Sequence, residues 1–111
     1  MLHVKKEMKA DCIRHTRLLG KNVRKVAICG GSGSFLLPNA ILEGADIFIT
    51  ADFKYHQFFD ANDQLVIMDV GHFESEQFTI DLLHEIISRN FSNFAVHYSE
   101  TRTNPIHYLT S

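Results

Sequence analysis

The sequence predicts an α/β fold: a three-layer sandwich with helices on both faces of a mainly parallel sheet. Three observations predict it. Residues 23–29, 46–50 and 65–70 are short, nearly continuous apolar runs, as expected of strands buried on both faces. They alternate with stretches that have the length or period of helices. The clearest of those, residues 74–89, places Phe78, Leu82, Leu83, Ile86 and Ile87 at helical spacing with polar residues on the other side.

Taken in order, residues 1–10 are charged and lack a period, which predicts a frayed segment or short helix. Residues 10–17 are mixed and compatible with a strand, and residues 18–24, with Gly20 and Asn22, make a turn. The buried strand 23–29 runs into Gly30-Gly31-Ser32-Gly33-Ser34. Residues 35–43 have the length of a short helix, with Gly44 as its stop. Strand 46–50 follows, then a helical stretch 53–61, a turn at Asn62-Asp63 and strand 65–70. After helix 74–89, residues 93–98 read as a fourth strand and Ile106-His107-Tyr108 as a short edge strand.

Composition narrows the function. The 111 residues are 45% hydrophobic and 22% charged, which fits one globular domain and excludes a disordered or collagen-like chain. Eleven basic against thirteen acidic residues give a net charge of -2, so nothing electrostatic favours nucleic acid. No apolar run approaches the roughly 20 residues that span a bilayer, and the first residues lack a signal peptide's apolar core. A cytoplasmic location with no membrane partner is the expectation. Cys12 and Cys29 form no Cys-x-x-Cys pair and read as structural thiols. Histidine is the abundant titratable residue, with seven copies.

In a parallel sheet, ligands sit beyond the carboxyl ends of the strands, and three strand ends carry distinctive residues. Gly30, Gly31, Ser32, Gly33 and Ser34 could offer backbone amides to a phosphate. Equally, they could make a tight strand-to-helix turn capped by Ser34. Asp52 follows the second strand with His56 four residues on, so a helix starting at Asp52 would put both on one face. Alternatively, Asp52 is only a cap. After Gly71, His72 and Glu76 are one helical turn apart, and an imidazole and a carboxylate converging there suit a first-row divalent ion. The alternative is that Glu74 and Glu76 merely complement the helix dipole. The ligand assignment is preferred because the apolar strand aims His72 at the carboxyl edge. Two donors do not close a metal site. His84, His97 and His107 are assigned structural roles, and no Gly-x-Ser-x-Gly elbow signals a serine hydrolase.

Four stretches in this order, residues 26–34, 45–56, 69–76 and 104–106, resemble the Nif-three-like family, also known as GTP cyclohydrolase 1 type 2 homologues or dinuclear metal-centre proteins. The resemblance implies a mixed sheet and a two-metal centre of zinc, iron or manganese. It also implies assembly into ring-shaped homohexamers. By the same resemblance, His72 and Glu76 are metal ligands, while Thr50, Asp52, His56 and Gly71 line the pocket. Ala51 departs from the glycine common at its position. Family members carry further metal ligands, a His-His pair and an aspartate, in an N-terminal half that this sequence does not match. His3 and His15 are isolated. The resemblance thus implies the C-terminal portion of a longer protein: residues 1–10 a partial N-terminal segment and residues 11–111 one α/β domain. The complete protein is expected to be a metal-dependent hydrolase of a nucleotide-like substrate, with this portion alone inactive. The alternative is a non-catalytic oligomeric scaffold or metal-binding interaction protein.

Overall fold

A computed structural model describes residues 1–111. Helix α1 (Leu2–Glu7) precedes a two-residue strand β1 (Arg14–His15) and a long strand β2 (Val26–Ser32). A 3₁₀ turn (Ser34–Leu36) leads into α2 (Leu37–Leu42), which has a proline in its first turn and Gly44 at φ +74° beyond its end. Strand β3 (Ile47–Ala51), a 3₁₀ helix (Tyr55–Ala61), β4 (Val66–Asp69), α3 (His72–Glu76) and α4 (Thr79–Asn90) complete the order.

The sheet order is β1-β4-β3-β2, with β2, β3 and β4 parallel and β1 antiparallel to β4. It is mixed and mainly parallel, as expected. Side chains alternate between its faces. Phe48 and Ile67 face a cluster with Leu37, Ala40, Phe53 and Leu65. Ile49, Val66 and Met68 face the other side, where Val4 and Met8 of the α1 region pack. Because β3 and β4 bury both faces, their sequences are apolar but for Thr50 and Asp69 near their carboxyl ends.

Several elements differ from their sequence pattern. Residues 93–98 form no strand, and neither do 106–108. The chain after α4 turns back on that helix: His84 Nε2 meets the Val96 carbonyl at 2.9 Å and the His84 ring packs edge-on against Tyr98. The fourth strand is instead β1, reached through Arg14 opposite Asp69. The helix expected over 74–89 starts earlier, at His72, and is interrupted at Gln77–Phe78, where the Gln77 side-chain amide donates to the Met8 carbonyl at 2.8 Å. Residues 55–61 wind as a 3₁₀ helix, not an α-helix. The radius of gyration is 16.3 Å, against about 13 Å for a compact chain of this length. Accordingly α4 stands off the sheet, with Leu82 55% and Ile87 41% exposed. No helix is long and apolar enough to cross a membrane.

Candidate metal centre

Parallel pairing brings three strand ends side by side. Ser32 on β2 pairs with Ala51 on β3, and Thr50 on β3 pairs with Asp69 on β4. Beyond this edge, Asp52 takes φ +62° and Gly71 takes φ +99°. Both are sharp departures from strand geometry that turn the chain across the sheet's end. His72 begins α3 there, and Glu76 lies one turn later.

These side chains form a continuous polar chain. Ser32 Oγ donates to Asp52 Oδ2. The same oxygen lies 2.5 Å from His72 Nδ1, and His72 Nε2 lies 3.2 Å from Glu76 Oε2. His72 and Glu76 are each about half exposed, at 48% and 50%. Gly31 forms the floor: a methyl group there would come within 2.6 Å of Glu76 Oε1 and 3.2 Å of His72 Cε1. The Gly31 amide donates to Ser75 Oγ at 2.8 Å, which fastens α3 to β2.

Beneath lies a buried layer that local sequence patterns do not mark. Asp69, 4% exposed, accepts from Arg14, from the Phe53 amide at 3.0 Å and from the Gly71 amide at 3.1 Å. Glu74, read from sequence as a dipole partner, is 3% exposed and accepts from Asn104 Nδ2 at 3.3 Å. A hollow of about 440 Å³ opens beside His72 and Glu76, walled by Phe73, Ile80, Asn104 and Pro105. A hollow of about 490 Å³ near Phe35 and Asp60 is lined by neither His72, Glu76 nor Asp52.

Of the expected site residues, His72, Glu76, Asp52 and Gly71 come together, and Thr50 supports them from below by donating to the Gly31 carbonyl at 3.1 Å. His56 does not join. The left-handed Asp52 prevents a helix from starting there, and the 3₁₀ helix begins only at Tyr55, so His56 ends exposed with no bond to the site. The expected phosphate loop is in part a strand. Gly30, Gly31 and Ser32 belong to β2, which continues past Cys29 through a register irregularity. The Gly33 amide faces the Ala51 carbonyl at 3.5 Å, and Ser34 makes no cap bond. The glycines let α3 and Thr50 approach closely, and the Gly31 amide is taken up by Ser75. Ser32, which holds Asp52, is the polar partner that its place in a glycine run concealed.

Electrostatically, the Ser32 hydroxyl and then the His72 ring hold the Asp52 carboxyl below its ordinary range. The hydrogen bond that His72 donates to Asp52, reinforced by the charges of Asp52 and Glu76, raises the His72 imidazole. In the metal-free chain, the stabilisation from His72 is full below its unfolded pKa of about 6.5 and is lost as pH rises through the raised folded value. That from Asp52 is present above about 3.9 and disappears on acidification. Thermal melts with chelator are expected to show a melting point that falls from pH 6 to pH 8. His72→Asn should flatten that fall.

No three His, Cys, Asp or Glu side chains form a group that could hold an ion. The reason is geometric: Asp52 and Glu76 occupy opposite edges of one imidazole. His72 Nε2 and Glu76 do match one side of a divalent ion's coordination, one imidazole nitrogen and one carboxylate on adjacent turns.

Comparison with known proteins places the chain in a family. The sequence model of Duf34/NIF3 (NGG1p interacting factor 3) matches residues 1–105. The chain belongs to the NIF3 family. A "GTP cyclohydrolase 1 type 2 homolog" of Campylobacter jejuni is 40% identical over 76 residues, 68% of this chain and 30% of that protein. One of Staphylococcus epidermidis is 32% identical over 110 residues, 96% of this chain and again 30% of the relative. The crystal structure of a Bacillus cereus protein related to NIF3 superposes with a TM-score of 0.78 at 32% identity, covering 97% of this chain and 31% of that one. A Staphylococcus aureus protein gives a TM-score of 0.80 at 26% identity over 97% of this chain and 36% of its own. This NIF3 chain therefore spans about a third of the length of the relatives it matches.

Proposed function

We propose that His72 and Glu76 form one side of a two-metal centre, and that the complete protein is a metal-dependent hydrolase acting on a nucleotide-like substrate. The observation that carries this is the 3.2 Å approach of His72 Nε2 to Glu76 Oε2 at the carboxyl edge of the parallel strands. The hollow of about 440 Å³ beside the pair gives a substrate a place to sit. Zinc, iron or manganese suits this donor pair. Such ions, when bound, supply Lewis acidity and a water of lowered pKa. The chain's own residues do the rest. Gly31 leaves room for the Glu76 carboxylate, Phe73, Ile80 and Pro105 keep one wall dry, and Asn104 and Thr103 offer polar contacts to a ligand. The nucleotide-like substrate is taken from the printed names of the relatives.

Two donors are fewer than a tetrahedral or octahedral ion needs, so further ligands have to come from outside this chain's own cluster. The 111-residue chain alone is therefore expected to bind zinc or manganese weakly and to turn over nothing. Calorimetric titration checks this: weak binding abolished by His72→Ala and by Glu76→Gln supports the proposal. Binding indifferent to both substitutions refutes the site. Sub-micromolar binding would refute its division between segments.

One observation favours a second reading, a non-catalytic oligomeric scaffold. Leu82, Leu83, Ile86 and Ile87 on α4 are all exposed, an apolar face suited to association with further copies, such as the homohexameric ring. Hydrolysis of GTP or a phosphoester by the complete protein, lost in Glu76→Gln, decides for the enzyme.

A further inference from the structure

Asp52 Oδ2 is 2.5 Å from His72 Nδ1, while Glu76 Oε2 is 3.2 Å from Nε2. The two nitrogens of an imidazole point away from each other. One cation therefore cannot take this ring and an oxygen from both carboxylates. One carboxylate accompanies the ion and the other holds the ring. Three features separate the two roles. The Asp52 oxygen that meets His72 also accepts from Ser32, so it is committed on two sides. The Asp52 backbone is left-handed at φ +62°, a conformation that aspartate tolerates better than most residues. It is fixed there because the next amide, Phe53 N–H, is bonded to buried Asp69. Glu76, by contrast, has His72 as its polar partner, and it borders the open hollow.

We propose that Asp52 is a positioning residue: it accepts the Nδ1–H of His72, fixes that tautomer, and turns the Nε2 lone pair toward Glu76, with Ser32 anchoring the carboxylate. A remote hydrogen bond of this kind orients an imidazole and strengthens it as a ligand. The proposal rests on the metal assignment above for its consequence in binding, but not for its consequence in the ring itself.

The test uses the full chain in two measurements. Nitrogen chemical shifts of His72, read without metal at a pH where the ring is neutral, report the tautomer. Titration with zinc reports affinity. Asp52→Asn keeps a residue suited to the left-handed backbone, yet its amide can donate to Nδ1 and so favour the opposite tautomer. The expected result is Nδ1–H in the wild type, a shift toward Nε2–H in Asp52→Asn, and zinc binding weakened about 10- to 100-fold. An Nε2–H wild type overturns the proposal, as does a folded Asp52→Asn with unchanged tautomer or unchanged zinc affinity. If Asp52→Asn does not fold, Ser32→Ala decides by the same shifts. More Nε2–H than in the wild type supports the role of Asp52, and an unchanged ratio overturns it. Should the wild type bind no zinc, the metal assignment fails while the nitrogen shifts still judge Asp52.

Discussion

Asp69→Ala is expected to lower stability by about 3–5 kcal/mol, enough to leave a small domain close to unfolded at room temperature. The cost does not come mainly from the ion pair. Arg14 is 55% exposed, so solvent screens its attraction to Asp69. It comes from the Phe53 and Gly71 amides, which lose their acceptor at the carboxyl edge of the sheet. An orphaned buried donor costs about 1–3 kcal/mol, which applies in full to the buried Phe53 amide and in part to the half-buried Gly71 amide. Arg14 adds to the loss, because its bond to the Phe53 carbonyl at 2.8 Å depends on staying near Asp69. Arg14→Ala should therefore cost only about 1 kcal/mol, and Asp69→Asn, which keeps one acceptor oxygen, should fall between. Urea denaturation monitored by circular dichroism provides the comparison. An Asp69→Ala variant no less stable than Arg14→Ala would show that the two amides find other partners.

What the sequence made legible follows the range of the interactions involved. Strands β3 and β4 are plain because burial on both faces writes an apolar run directly into the chain. The His72–Glu76 pair is plain because one helical turn is a local spacing, although the helix that carries it is only five residues long. The end of β2 was hidden: Gly30 and Gly31 look like a loop, and only pairing with β3 and the approach of α3 reveal why a strand contains them. The break between α3 and α4 was hidden too: no glycine or proline marks it, and the Gln77 side chain there bonds a carbonyl 69 residues away. Residues 93–98 have the apolar and aromatic content of a strand, yet Phe94 is 66% exposed and His84 draws the segment back along α4. In the site, the same division holds. Asp52 meets His72 only because β3 and β4 end in register, and Ser32 meets Asp52 only because the irregularity in β2 brings Ser32 opposite Ala51.

Gly71→Ala is expected to cost about 3 kcal/mol and to disturb the His72–Asp52 contact as well. Two penalties combine. Gly71 sits at φ +99° and ψ +145°, near a region populated essentially by glycine, where another residue costs about 1–3 kcal/mol. A methyl group there would also overlap the Glu74 carboxylate. Glu74 cannot swing freely away, because it is buried and bonded to Asn104. The strain is relieved most directly by shifting the first turn of α3, and that turn begins with His72. Gly44→Ala is the control. Its φ of +74° imposes a backbone penalty of about 1–2 kcal/mol, but no atom lies within 4 Å of the added methyl. Denaturation of the two variants should place Gly71→Ala at least about 1 kcal/mol below Gly44→Ala. Only Gly71→Ala should move the nitrogen resonances of His72. Equal losses would mean that Glu74 yields without carrying α3 with it, and that the first turn of α3 is softer than its packing implies.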